Sequence, residues 1–192
     1  VLGRHFGPAP PSPRSTTSVL MGLSKHSSAQ AVGDILRSLR AADCETNVIH
    51  YNVAISACEK HGAWTRAFEL LGGMENSRVE RTTVTYNVAI SACGKGGEWA
   101  QALYLLSSML GSEVETDTIS YSAAISACEK GGQWTLALDL MKEMAWTALE
   151  ANTITCSAAV SACEKGGQWT KVLELLRNMA RGRVEMSTAA CN

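Results

Sequence analysis

Beyond Pro13 this sequence contains no proline, because all four stand at positions 8, 10, 11 and 13. Proline removes a backbone donor and locks φ, so residues 1–13 are expected to form an extended linker or tail. A domain boundary is expected at that point. A surplus of charge is missing too. The net charge is −1 and the pI about 6.5. The chain as a whole has no field to draw in a polyanion, so any nucleic-acid contact must come from local placement of Lys and Arg. No run approaches the ~18 apolar residues of a membrane-spanning helix, so no membrane partner is expected. No CxxC pair occurs among the seven cysteines, which removes the usual zinc-ligand spacing. Cys156 and Cys163 would lie about 10 Å apart along a helix axis, too far for a disulfide. The cysteines read instead as reduced, buried thiols used as small apolar residues. None of the histidines, His5, His26, His50 and His61, belongs to an H-E-x-x-H pattern. There is no G-x-x-x-x-G-K-[ST] phosphate loop either, since the recurring C-x-K-G-G places Lys before the glycines. No catalytic group, metal, cofactor or small-molecule substrate is expected.

What is present is repetition. Hydrophobic residues make up 46% of the chain, enough for a folded core. Shifted by 35 residues, the sequence falls on itself without insertions from Val48 to Asn192. Tyr51, Tyr86 and Tyr121 align, followed in the same register by Cys156 and Cys191. Cys58, Cys93, Cys128 and Cys163 align, as do Lys60, Lys95, Lys130 and Lys165, and Trp64, Trp99, Trp134 and Trp169. Such internal periodicity decides the architecture before any local reading does. The units run 48–82, 83–117, 118–152 and 153–187, with a worn copy at 14–47. Thr188–Asn192 matches the opening of another unit, and the chain begins with Val1, so a piece of a longer protein is expected.

Each unit is expected to be helix–turn–helix. Trp99, Ala102, Leu103, Leu106 and Met109 recur at helical spacing and make one apolar face. In the first helix Val88, Ala89, Ala92 and Cys93 are mostly small, which lets helices approach closely. Gly96-Gly97, Gly131-Gly132 and Gly166-Gly167 are expected to end that helix and supply positive φ for the turn. Asp117, Asn152 and the Thr after each are candidate N-caps. One such pair cannot bury its apolar face alone, whereas a stack can. The expected fold is all-α, a right-handed superhelical α-solenoid of helix–turn–helix repeats.

The period, the V-T-Y-N opening at Val84-Thr85-Tyr86-Asn87, the C-x-K-G-G turn and A-L-x-L-L-x-x-M through Met109 resemble the pentatricopeptide repeat family. The repeats are P-type-like. Tetratricopeptide repeats have a period of about 34 and a W-x2-L-G-x2-Y pattern, which this chain lacks. The resemblance implies binding of single-stranded RNA, one base per repeat. It also implies an adaptor role in organelle RNA processing, stability or translation, in chloroplast or mitochondrion, together with other RNA-processing proteins. No targeting peptide is visible in the sequence. Family members that edit or cleave RNA carry extra C-terminal domains, and none is visible before Asn192.

In the family, the residue after the Tyr reads the base together with the last residue of the repeat. The pairs implied here are Thr17 with Asn47, Asn52 with Thr82, Asn87 with Asp117, Ser122 with Asn152, and Ser157 with Ser187. The family's code suggests A-pyrimidine-U-A for the first four, Asn87–Asp117 reading U. Ile49, Val84, Ile119 and Ile154 would pack against base faces. Amide, hydroxyl and carboxylate groups present different donor and acceptor patterns to a base edge. The alternative role for these polar residues is capping, which Asn and Asp favour. Lys60, Lys95, Lys130 and Lys165 are candidates to follow the phosphate backbone, or simply to complement helix C-termini. Four such contacts would give a salt slope of about −3. Glu59, Glu129 and Glu164 precede three of these lysines and weaken the local field. The Trp ladder is expected to pack against neighbouring helices rather than stack bases, and Trp146 falls outside it. Two other roles stand beside RNA binding: a protein–protein interaction scaffold using the concave solenoid groove, and a piece of an RNA-processing enzyme.

Overall fold

The computed structural model describes residues 13–26, 29–41, 46–147 and 149–178. These residues form ten helices, and none of them forms a strand. In order they are α1 (Pro13–His26), α2 (Ala29–Ala41), α3 (Val48–His61), α4 (Trp64–Asn76) and α5 (Thr83–Lys95). Then come α6 (Trp99–Leu110), α7 (Thr118–Lys130), α8 (Trp134–Trp146), α9 (Thr153–Lys165) and α10 (Trp169–Asn178). Each odd-numbered helix packs on the even-numbered helix that follows it, and the pairs stack into an α-solenoid. Pro13 opens α1, where its missing N–H leaves no hydrogen bond unmade. The remainder of the proline-rich tail, Ser187 and the residues from Thr188 onward lie outside the described residues.

The two glycines of each turn have separate causes. Gly62, Gly97, Gly132 and Gly167 have φ of 61, 81, 68 and 68°, the left-handed region where a Cβ is strained. Gly96, Gly131 and Gly166 have ordinary helical φ of −78, −79 and −80°. Both glycines lie in the turn that ends the helix, as expected, but only the second supplies the positive φ. The first is small because the tryptophan of the preceding unit lies on it. A Cβ at Gly131 would fall 2.3 Å from Trp99 Cδ1, and one at Gly166 2.4 Å from Trp134 Cδ1. At Gly96 it would fall 2.7 Å from Trp64 Cδ1.

The first helices α3, α5, α7 and α9 stack on one another, whereas α4, α6 and α8 meet chiefly the first helices of their own and the following unit. Small side chains explain the close layer. Ala89, Ala92 and Cys93 are wholly buried on α5, as are Ala124 and Cys128 on α7. Larger residues fill the other layer, including Met74, Met109 and Met144, all 0% exposed. Each such side chain contributes roughly 1.5–3 kcal/mol by leaving water. Small side chains draw the first helices together into one continuous layer, and the bulkier second helices pack beside it. Tyr51 and Tyr121 clamp each hairpin. The Tyr51 hydroxyl donates to Gly73 O at 3.0 Å, and that of Tyr121 to Glu143 Oε1 at 3.1 Å.

Cys58, Cys93, Cys128, Cys156 and Cys163 are free and buried. Burial pushes their thiols up, to about 11 for Cys58, about 12 for Cys93 and about 11 for Cys128. No described helix is long and apolar enough to cross a membrane.

Candidate nucleic-acid interface

Among the described residues, the last residue of a unit caps the helix that opens the next. The Asn47 side chain accepts from the Ile49 and His50 N–H groups at 3.1 and 3.2 Å. Thr82 accepts from Thr85 N at 3.4 Å, Asp117 from Ser120 N at 2.8 Å and Asn152 from Thr155 N at 2.9 Å. Capping is thus a role these side chains have. The Thr residues after Asp117 and Asn152 are instead the first helical residues of α7 and α9. The Thr118 hydroxyl donates forward to Glu150 O at 3.3 Å.

The other member of each pair sits in the first helix of the same unit and is brought up to the cap. Asn87 Nδ2 donates to Asp117 Oδ1 at 3.1 Å and Oδ2 at 3.3 Å. Asn87 Oδ1 accepts from the Ser120 hydroxyl at 2.6 Å. The other two pairs are joined through a hydroxyl. Thr85 Oγ1 donates to Asn52 Oδ1 at 2.8 Å and lies 3.1 Å from Thr82 Oγ1. Thr155 Oγ1 hydrogen-bonds Ser122 Oγ and donates to Asn152 Oδ1 at 2.9 Å. Thr17 and Ser157 are half-buried on α1 and α9.

Burial pushes the Asp117 carboxyl up. Hydrogen bonds from the Ser120 backbone and hydroxyl, the Asn87 amide and the Ile119 backbone outweigh it, and the group ends below the usual carboxylate range. Asp117 is therefore a carboxylate at neutral pH.

Ile49, Val84, Ile119 and Ile154 follow each cap and point outward, 49, 57, 61 and 68% exposed. Aliphatic side chains held open to water at one register position form a rim of unspent apolar surface. Between α5 and α7, reaching the start of α9, lies a groove of about 430 Å³. It brings together Asn87, Ile119, Ser122, Lys130, Asn152 and Ile154 from the sequence-derived set, and leaves out Asn52, Thr82, Val84, Lys95 and Asp117. It adds Ser91, Gly94 and Ser126, which the sequence reading missed, and Glu59, which that reading gave only as a neighbour of Lys60. Helical spacing from Asn87 and Ser122 places Ser91 and Ser126 one turn on, along the same face.

The lysine ladder is not uniform. Lys95 Nζ pairs with Glu59 Oε1 of the preceding unit at 2.8 Å, and the Ser91 hydroxyl donates to the same oxygen at 2.9 Å. Lys165 pairs likewise with Glu129. The unit between has Gly94 where the others have glutamate, and Lys130 has no ion-pair partner among the described residues. Lys60 is exposed at the end of α3. The glutamates thus neutralise lysines one unit on rather than their own chain neighbours.

The tryptophans take no part in the groove. Trp64, Trp99 and Trp134 are half-buried against the following turn, and Trp169 and Trp146 are exposed. Among the described residues no group of three His, Cys, Asp or Glu side chains is placed to hold a metal ion.

Two family models match the sequence. One, described as the PPR repeat family, covers residues 46–95 and 81–130. The other, described as PPR repeat, covers 119–146 and 154–184. No curated protein matches. Among solved structures, the PPR domain of Arabidopsis thaliana protein-only RNase P 1 in complex with tRNA is similar, with TM-score 0.76 and 15% identity. That match covers 93% of this chain and 94% of that one. The pentatricopeptide repeat protein PPR10 in complex with an 18-nt psaJ RNA element matches with TM-score 0.77 and 17% identity. It covers 94% of this chain, which spans only 26% of that one. PPR10 from maize has TM-score 0.72 and 23% identity over 94% of this chain and 26% of that one. At these identities the likeness is one of fold.

Proposed function

Because the chain belongs to the pentatricopeptide repeat family, we propose that it binds single-stranded RNA along the groove of its first helices, one base per unit. The observation that carries this reading is a recurring pair of polar side chains beside an exposed aliphatic one. Asn52–Thr82, Asn87–Asp117 and Ser122–Asn152 stand in one register, each joined by hydrogen bonds directly or through a hydroxyl of the following unit. Val84, Ile119 and Ile154 project beside them. A base edge meets the polar pair while its faces lie against the aliphatic residues above and below. Thr17–Asn47 and Ser157–Ser187 extend the series, and Lys130 meets a phosphate. PPR10 and the protein-only RNase P 1 domain were each solved with RNA bound, which is consistent with this use of the fold.

The groove offers amides, hydroxyls, a carboxylate and an ammonium, a recognition set, so the proposed role is binding rather than catalysis. In the cell this makes the chain an adaptor in organelle RNA processing, stability or translation. One observation favours a second reading, a groove for an extended peptide. Net charge is −1, and Lys95 and Lys165 are neutralised by glutamates. The test is selection from random single-stranded RNA and DNA pools, run with the native chain and with Asn87→Thr. The RNA reading expects an enriched RNA motif with U at one place, changed only there by the variant. No enrichment and no RNA binding at low salt would overturn it in favour of the peptide.

A further inference from the structure

Behind each polar pair stands a third side chain that the groove never exposes. Thr85, Ser120 and Thr155 are 0% exposed, so none of them reaches a ligand. Each nonetheless touches both members of the pair in front of it. Thr85 meets Asn52 at 2.8 Å and Thr82 at 3.1 Å. Ser120 meets Asn87 at 2.6 Å and Asp117 at 2.8 Å. Thr155 meets Ser122, and Asn152 at 2.9 Å. We propose that this buried hydroxyl is a positioning residue for base selection, fixing which donors and acceptors its pair turns toward the RNA. The inference rests on the base-per-unit reading above.

Proton counting gives it content. A hydroxyl has one proton and two lone pairs, an ionised carboxylate accepts only, and an amide has one end of each kind. Asp117 can take only the NH₂ end of Asn87, so the Asn87 carbonyl faces the Ser120 hydroxyl. The reversed amide would set its carbonyl against a carboxylate. One amide hydrogen is thereby left for the groove. At the next pair the arrangement differs. The Thr155 proton goes to Asn152 Oδ1, so Ser122 must donate to Thr155. Ser122 then offers the groove lone pairs and no proton. The hydroxyl thus converts the adaptable donor–acceptor groups of the pair into a fixed pattern, an acceptor at one unit and a donor at another.

The experiment measures binding to four RNAs that differ only at the base opposite Asn87–Asp117. It uses the native chain, Ser120→Ala and Ser120→Thr. Without the hydroxyl the Asn87 carbonyl loses its donor, and the amide, held by Asp117 alone, is free to swing from its set angle toward the groove. Preference among the four bases at that place then falls about fivefold, the worth of one neutral hydrogen bond. Ser120→Thr restores it, and preference at neighbouring bases stays as it was. Thr155→Val, close in shape to threonine, flattens preference opposite Ser122–Asn152 in the same way. Equal weakening toward all four bases, tracking a lower melting temperature, would overturn the proposal and leave the hydroxyl a capping residue only. So would an unchanged preference. A native chain that binds RNA with no preference anywhere overturns the base-per-unit reading itself, and this inference with it.

Discussion

At the scale of single residues, the cysteine ladder was open to inspection in the sequence, and its chemistry follows from position. The thiolate is the reactive form of cysteine. With thiols pushed to about 11 and about 12 by burial, Cys58 and Cys93 hold almost none of it at mildly alkaline pH. An alkylating reagent should leave Cys58, Cys93 and Cys128 unmodified in the native chain and modify all three in denaturant. Residue-by-residue mass spectrometry reads this, and prompt native labelling at those positions would contradict the packing. Asp117 makes the opposite case. Its carboxyl is lowered in the fold by the hydrogen bonds it receives, so the stability it adds is complete above the ordinary carboxylate range. That stability is lost as acidification passes through the lowered value. Asp117→Asn should therefore lose stability at neutral pH and show a flatter melting temperature across acid pH than the native chain. Capping and pairing were both legible in the sequence as roles for Asp117. That one side chain does both at once was not, because Asp117 meets Asn87 only when α7, whose start it caps, packs on α5.

The helix and the turn are the next scale, and here two adjacent identical residues have different reasons to exist. Gly131 and Gly132 read alike in the sequence, as one glycine turn. Gly132 has φ of 68°, where an alanine costs roughly 1 kcal/mol. Gly131 has ordinary φ but supports Trp99, with no room for a Cβ at 2.3 Å. Gly131→Ala should cost about 1–3 kcal/mol, as overpacking does. Pairing it with Trp99→Leu should recover most of that loss, giving a large coupling energy in a double-mutant cycle. Gly132→Ala paired with the same substitution should show simple additivity. Urea midpoints of the two cycles check this, and equal coupling in both would refute the separate roles. The helices themselves were legible because the apolar period of 3.6 and the glycine punctuation agree. The tryptophan's target was not, since nothing within one unit indicates that its indole lies on the next.

For the whole molecule the charge pattern decides more than the charge total. The ladder Lys60, Lys95, Lys130 and Lys165 reads in the sequence as four equivalent cations, which would give a salt slope of about −3 for single-stranded RNA. Stacking makes them unequal. Glu59 and Glu129 each reach a lysine of the following unit, and Gly94 breaks the series so that Lys130 stands open in the groove. Exposed pairs of this kind contribute only about 0.2–1 kcal/mol, so RNA can displace them. A displaced glutamate then recruits a cation from solution and cancels part of the counterion release. The slope of log affinity against log salt should accordingly be shallower than about −3. Lys130→Gln should remove about 0.7 from it, one phosphate's worth. Glu59→Gln and Glu129→Gln should each steepen it and tighten binding at low salt, because each frees a lysine. If Lys130→Gln leaves the slope unchanged while Lys95→Gln alters it, the phosphate path runs along the paired lysines and the opening at Gly94 plays no part. The register of carboxylates one unit back from their lysines was present in the sequence all along. It became visible only once the first helices were known to stack directly, since that contact places position 59 beside position 95.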